Sequence, residues 1–359
     1  MRILSRYVLR QFIPLAGLSL LAFETVFLVI DLTDRLSGFL DRNVDAGTIF
    51  FYYIYYVPYI LVLVLPMAML LASLFCIGDL ARRRELAAMK AAGVSFYRIA
   101  LPILVFSLVV SIGVLVFSDQ VVPRANRWRA DIDAKGYDRE RLSGALGVRS
   151  KVVLLDRGGQ VLSVGEYHPE RTEGKQVMLD FHRDGRLSER VTAEEMRWTG
   201  NEWTFHRGDV RRFEGAQQRF SRFASMCPAG LTLRPEDLVY EVRSVEQMTG
   251  AELRAFILRK GNLGGKTARE EVRLHLQRAF PFANFVMVLI GVPLASQIRR
   301  TGKPLQVGIG LLTSFAYYGS IQAGRAIGWN GLIAPFWGGW GANILFLAIG
   351  TVLLWRTHK

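Results

Sequence analysis

The sequence predicts an α-helical membrane protein of six transmembrane helices, with one β domain of sandwich or jelly-roll type inserted between the third and fourth. Three observations carry that fold class. Six apolar runs are long enough to cross a hydrocarbon core about 30 Å thick, which takes roughly 20 helical residues. One long polar stretch between the third and fourth runs alternates with the period of a β-strand. The lysines and arginines of the short loops gather on one side of the runs.

The first run is Gln11–Ile30, interrupted only by Glu24. The second, Ala46–Gly78, carries no charge, and its helix is expected to begin near Phe50. Ile99–Ser118, Ala279–Ile298 and Pro304–Gly324 are also charge-free. Ala326–Trp355 is the last, with Gly328–Pro335 read as a short turn before the helix proper. Three segments follow: residues 1–122 with the first three helices, 123–271 as the β domain, and 272–359 with the last three helices.

Within residues 123–271, Lys151–Leu155 and Gln160–Val164 flank the turn residues Asp156, Arg157, Gly158 and Gly159. Gln176–His182 and Arg186–Thr192 flank Asp184-Gly185, a hairpin pair. Arg197–Trp198 and Trp203–Phe205 flank Thr199-Gly200-Asn201 in the same way. Near the end, Thr249 and Glu252 form a capping box that opens a short amphipathic helix, with Gly261 as its stop.

The chain has 359 residues, 51% of them hydrophobic, and 45 Lys+Arg against 31 Asp+Glu, for a net charge of +14. Such a basic balance suggests nucleic acid until its location is considered. Arg2, Arg6 and Arg10 precede the first run, and Arg82, Arg83, Arg84, Lys90 and Arg98 lie between the second and third. Arg299, Arg300 and Lys303 follow the fourth, and Arg356 and Lys359 the sixth. The opposite loops and the β domain are close to balanced. The positive-inside rule therefore puts both termini in the cytoplasm and the β domain outside, and nucleic acid is not an expected partner. The first run is too long for a signal-peptide core and no Ala-x-Ala site follows, so it is expected to stay as an anchor. Cys76 in the second run and Cys227 in the β domain are not expected to pair.

The most informative loop is Asp79–Ser95. Leu80, Leu86, Met89 and Ala92 share a helical stripe, Arg82–Glu85 decorate one end, and Gly93 stops the helix. A short amphipathic helix between two spans suits an ATPase-docking element of an ABC permease; a solvated loop with topogenic arginines is the alternative. Inside the membrane, Glu24 and Asp31 are seven apart on one face of the first helix, with Asp34 a turn further. Arg325 stands at the outer end of the fifth helix, where it could meet that acidic face or a substrate phosphate.

Read in order, Leu4–Arg10, Pro58, Pro66–Ala72, Arg84–Ser95, Pro102, Met248–Leu253, Pro281, Gly291–Leu294, Pro335, Trp340 and Asn343 resemble the LptF/LptG permease family of the lipopolysaccharide-export ABC transporter. The resemblance implies a homologous permease partner, an LptB-like ATPase dimer, an LptC/LptA-like periplasmic bridge and lipopolysaccharide as cargo, in the bacterial inner membrane. It implies a periplasmic β-jelly roll stacked on the bridge, and helices one and five lining a lateral opening. It puts the coupling glutamate on Glu85, with Arg82, Arg83, Arg84, Met89 and Gly93 around it, and leaves Arg35 as the lone basic residue near the outer end of helix one. The short segment after Trp355 leans toward the LptG side.

No Gly-x-x-x-x-Gly-Lys-Ser/Thr occurs, so ATP and Mg belong on the partner ATPase and no cofactor is expected in this chain. Neither catalytic nor metal-ligand spacing is present, and His168, His182 and His206 are separated by non-motif intervals. The chain is thus expected to be a transport subunit rather than an enzyme. The competing readings are an ABC permease for another envelope lipid and a membrane-anchored β-domain scaffold without transport.

Overall fold

The computed structural model describes residues 2–41, 44–137, 149–156, 160–183, 186–214, 217–228, 230–240, 247–262, 266–297 and 303–357. The chain divides into two compact units, Met1–Tyr137 with Ala268–Lys359, and Asp138–Thr267. The boundaries differ from residues 123 and 271 because helices continue past the apolar runs on both sides.

The first unit is helical. Its elements are α1 (Arg2–Asp41), α2 (Ala46–Arg82), α3 (Glu85–Ala91), α4 (Phe96–Gln120) and α5 (Val122–Tyr137). Five helical segments, Ile3–Leu40, Ala46–Arg82, Phe96–Ala130, Ala268–Gln297 and Pro335–Arg356, are long and apolar enough to cross a membrane among the described residues. The chain is a membrane protein. Pro123 sits in the first turn of α5, where its missing N–H costs no helical bond.

The second unit is built on one antiparallel sheet: β1 (Arg149–Asp156), β2 (Gln160–His168), β3 (Glu173–Arg183), β4 (Arg186–Trp198), β5 (Trp203–Glu214) and β6 (Gln217–Met226). Asp156 pairs with Gln160, Arg183 with Arg186 and Trp198 with Trp203, so the hairpins join the runs expected from the alternation. The turn residues 157–159 and 184–185 lie outside the described residues. The third turn is closed by Thr199 N–H donating to the Glu202 carbonyl at 3.0 Å, with Gly200 at φ 95°. Strand order is sequential from β1 to β6, an up-and-down meander. A jelly roll would interleave non-consecutive strands across two sheets, and the described strands do not. The reason is local: each hairpin connection is too short to carry the chain past a neighbouring strand.

One sheet face is apolar, with Leu162, Val164, Leu179, Val191, Phe205 and Trp203 all nearly or fully buried. Leu233 and Leu238 of the following segment, which includes α6 (Pro235–Tyr240), join that core. Trp203 donates its indole N–H to the Leu233 carbonyl at 2.7 Å, and Thr232 donates its backbone N–H to buried Asp156 at 2.6 Å, so the covering strap is held by polar bonds. Burial pushes the Tyr167 hydroxyl up to about 12. α7 (Gly250–Asn262) opens with the expected capping box: Thr249 N–H donates to Glu252 Oε2 at 2.9 Å, and Glu252 N–H returns to Thr249 Oγ1 at 3.3 Å. The helix runs one residue past Gly261.

The chain completes the helical unit with α8 (Ala268–Ala279), a 3₁₀ turn at Phe280–Phe282, α9 (Ala283–Gln297), α10 (Lys303–Trp329) and α11 (Pro335–Arg356). Residues 326–329, assigned from sequence to the last span, instead finish α10. The length of α10 suits a span, but Gln306, Ser314, Gln322 and Arg325 dilute its apolar content, and it falls outside the five segments above.

α2 and α9 form the centre, with most of their central residues buried. Their contact is close because Gly291 faces Leu70 and Ser73: a Cβ there would overlap the Ser73 hydroxyl and lie 3.2 Å from the Leu70 carbonyl oxygen. The same device recurs between α10 and α11, where a Cβ on Gly338 would stand 3.1 Å from the Gly324 carbonyl oxygen. Pro281 breaks the regular ladder between α8 and α9, and buried side chains take up the freed groups. Asn284 Nδ2 donates to the Pro281 carbonyl at 2.8 Å, and Phe285 N–H donates to Ser111 Oγ on α4 at 3.2 Å. Asn343 on α11 donates to the Ala279 carbonyl at 2.6 Å and accepts from the Tyr317 hydroxyl on α10.

Candidate functional site

Two clusters correspond to the residues singled out from sequence. The first is the loop between α2 and α4. It was expected to be one amphipathic helix over residues 79–95, and the structure corrects this. α2 carries straight on to Arg82, where Arg82 pairs with Asp79 at 2.6 Å one turn back. Arg84 then takes a left-handed conformation at φ 62°, which ends α2 and caps α3 at once. Its carbonyl accepts the Ala88 N–H at 3.0 Å. Helical periodicity runs through such a kink unbroken, which is why sequence reading missed it.

The kink decides what points where. Leu80 and Leu86 are buried and Met89 is packed against the same core, so three of the four stripe residues face inward. Ala92 is exposed, because α3 has ended one residue earlier. Gly93, at φ 80°, turns the chain so that Ser95 can begin α4. Arg82, Arg83 and Arg84 are left exposed together, and Glu85 stands half-buried at the start of α3. Glu85 Oε2 accepts the Tyr7 hydroxyl of α1 at 2.7 Å. Lys90 lies over the Phe96 ring, 5.4 Å from its centroid. The result is a tight, basic, surface-exposed elbow braced from beneath by apolar side chains.

The second cluster lies around the C-terminal half of α1. Asp31 pairs with Arg35 at 3.2 Å and accepts the Tyr53 hydroxyl of α2 at 3.2 Å. Arg35 also lies over the Tyr52 ring, 5.8 Å from its centroid. Glu24 is apart from this group: it is half-buried, and its Oε1 is enclosed with no hydrogen-bond partner among the described residues. Asp34 is exposed. Arg325 is not brought to the acidic face. Its guanidinium lies over Trp329 on its own helix, 4.7 Å from the ring centroid, and among the described residues it forms no ion pair.

Sequence reasoning missed Arg129 on α5. It lies 4.4 Å from the Tyr56 ring centroid and within 6.0 Å of those of Tyr52 and Tyr59, so three aromatic faces of α2 hold one guanidinium. One of its terminal nitrogens is buried without a hydrogen-bond partner among the described residues. Trp128 stacks on Tyr55 beside it. The aromatic run Phe50–Tyr59 was the available signal, but the arginine that answers it is far away in sequence, in a segment assigned to the β domain.

No group of three or more His, Cys, Asp or Glu side chains that could hold a metal ion occurs among the described residues. Cys76 is buried in the helical unit, whereas Cys227 is exposed in the other. Comparison with known families agrees with the motifs: the model described as lipopolysaccharide export system permease LptF/LptG matches residues 6–356. No curated protein matches the chain.

Proposed function

Since the chain belongs to the LptF/LptG family of lipopolysaccharide export permeases, we propose that it is one permease subunit of an ABC transporter that lifts lipopolysaccharide from the inner membrane and passes it to a periplasmic bridge. The observation that carries the reading is the elbow at residues 82–95, a braced, basic, exposed element between two apolar helices. An ATPase that works on a membrane subunit must push on something stiff. A seven-residue helix held by Leu86 and Met89 beneath it meets that need.

In this reading Arg82, Arg83, Arg84, Glu85, Met89 and Gly93 form the docking element for an LptB-like ATPase dimer, which supplies the ATP and Mg chemistry. A homologous permease subunit completes the channel. α10 serves as the sixth span, and the basic loops place both termini and α3 on the cytoplasmic side, with the sheet in the periplasm facing an LptC/LptA-like bridge. Glu24, Asp31, Arg35 and Arg325 lie along the path of the lipid. Asp31 and Arg35 hold each other at rest, and Arg325, with no carboxylate partner among the described residues, is available for a lipid phosphate.

Purification in mild detergent tests this. The expected result is recovery with an ATPase, a second six-span subunit and bound lipopolysaccharide. A different bound amphiphile would change the cargo and leave the permease role standing. Recovery of the chain alone, without ATPase or second subunit, would favour a scaffold and overturn the reading.

A further inference from the structure

We infer that Tyr7 is a positioning residue that ties α1 to the docking element by holding the Glu85 carboxylate, so that movement of α3 is transmitted directly to α1. The inference rests on the permease reading for its meaning, but not for its geometry. α1 is long and poorly embedded: Leu18, Leu21, Val26, Val29 and Ile30 are all exposed within the chain. It is pinned at its N-terminal end, where Val8 and Phe12 are fully buried in the core shared with Leu80, Leu86 and Met89. There the Cys76 thiol also reaches the Val8 carbonyl, 3.9 Å away on α1.

Apolar packing of this kind resists separation but tolerates sliding. A directional bond is needed to fix the register of two helices, and the Tyr7–Glu85 bond at 2.7 Å is a side-chain hydrogen bond that joins α1 to α3. Glu85 follows directly on Arg84, whose φ of 62° turns the chain there. Were α2 to continue regularly through residues 83–85, Glu85 would be carried further along the α2 axis, away from Tyr7. The strained arginine and the hydroxyl contact are therefore parts of one device. A carboxylate acceptor makes the bond stronger than a neutral one, and its place at an exposed elbow lets a docking partner compete for it. ATPase engagement of Glu85 and release of α1 are thereby exchangeable.

The test uses nitroxide labels on exposed Ile3 and Ala87 in a Cys227→Ser background, with distances read by pulsed EPR on the purified chain. A narrow distribution is expected for the parent, and a broadened one for Tyr7→Phe. The same broadening should appear in Glu85→Ala, with no further change in the double variant. Glu85→Gln keeps an acceptor oxygen and should retain the narrow distribution. Because Tyr7 is 40% exposed, loss of its hydroxyl leaves the core intact.

In the assembled transporter, Tyr7→Phe should lower lipopolysaccharide released per ATP about fivefold, the factor expected for one modest hydrogen bond. An unchanged distribution in Tyr7→Phe, or broadening that adds to that of Glu85→Ala, overturns the inference. The permease reading fails separately, if the parent chain neither retains an ATPase nor releases lipid while the EPR result still holds.

Discussion

Replacing Asn343 with leucine should destabilise the helical unit by at least about 2 kcal/mol, from two interhelical hydrogen bonds at about 0.6–1.7 kcal/mol each in a membrane interior. Asn343 is buried and serves two neighbours at once, donating to the Ala279 carbonyl and accepting from Tyr317. The carbonyl matters more than the hydroxyl. Its usual helical donor, the Ala283 N–H, is engaged instead by the Phe280 and Pro281 carbonyls of the 3₁₀ turn. Leucine keeps the branched outline of the side chain, but its bulkier methyl groups would crowd the two oxygens, so an overpacking cost adds to the lost polar bonds. Tyr317→Phe removes only one bond and should cost about 0.6 kcal/mol. Equilibrium unfolding in mixed micelles, followed by the fluorescence of the seven tryptophans, measures both. A stability for Asn343→Leu equal to that of the parent, or no lower than that of Tyr317→Phe, would refute the argument.

Gly291→Val should cost about 1–3 kcal/mol by overpacking, because the added atoms meet Ser73 and the Leu70 backbone rather than a flexible chain end; a lowered thermal midpoint in detergent reads it out. In the sheet, the Thr192 hydroxyl and then Arg211 hold the Asp209 carboxyl below its usual range, against a smaller opposing effect of burial. That stabilisation is present above the unfolded-state value and lost as pH falls through the lower folded-state value. Amide protection factors in β4 and β5, taken relative to the intrinsic exchange rate at each pH, should therefore fall below about pH 4, and Thr192→Val should flatten the dependence. Glu85→Lys should leave the chain folded but separate ATP hydrolysis from lipid extraction, and normal extraction in proteoliposomes would remove Glu85 from the docking element. Arg325→Glu should impair transport and lower photocrosslinking to lipid A phosphates, and unchanged crosslinking would remove Arg325 from the lipid path.

Much of the fold is legible in the order of residues. The apolar runs locate α2, α4, α9 and α11 to within a few residues, since the bilayer's demand for a satisfied backbone leaves little freedom in such segments. Alternation locates β1 to β5 through their hairpins. The errors are of two kinds, a boundary hidden by continuous local pattern and a pairing that pattern does not report. Residues 79–95 keep helical periodicity through the kink at Arg84, and residues 326–329 keep apolar character past the expected end of α10. A sandwich or jelly roll was expected from the alternating pattern and the family likeness, while the meander follows from which of the described strands pair. Pairing depends on register and connection length, and composition does not report either.

Sequence by itself determined that this chain lives in a membrane, where its basic loops concentrate, that it carries a β unit between two sets of helices, and which family it belongs to. These are properties of single segments, governed by transfer of apolar residues from water and by local backbone preference. The tertiary structure alone decided which polar groups meet. It placed Tyr7 on Glu85, Arg129 among the tyrosines of α2, Asn343 on Ala279, and Arg325 on Trp329 instead of on the carboxylates of α1. Such pairings join residues distant in the chain through short-range forces, so they exist only once the helices have packed.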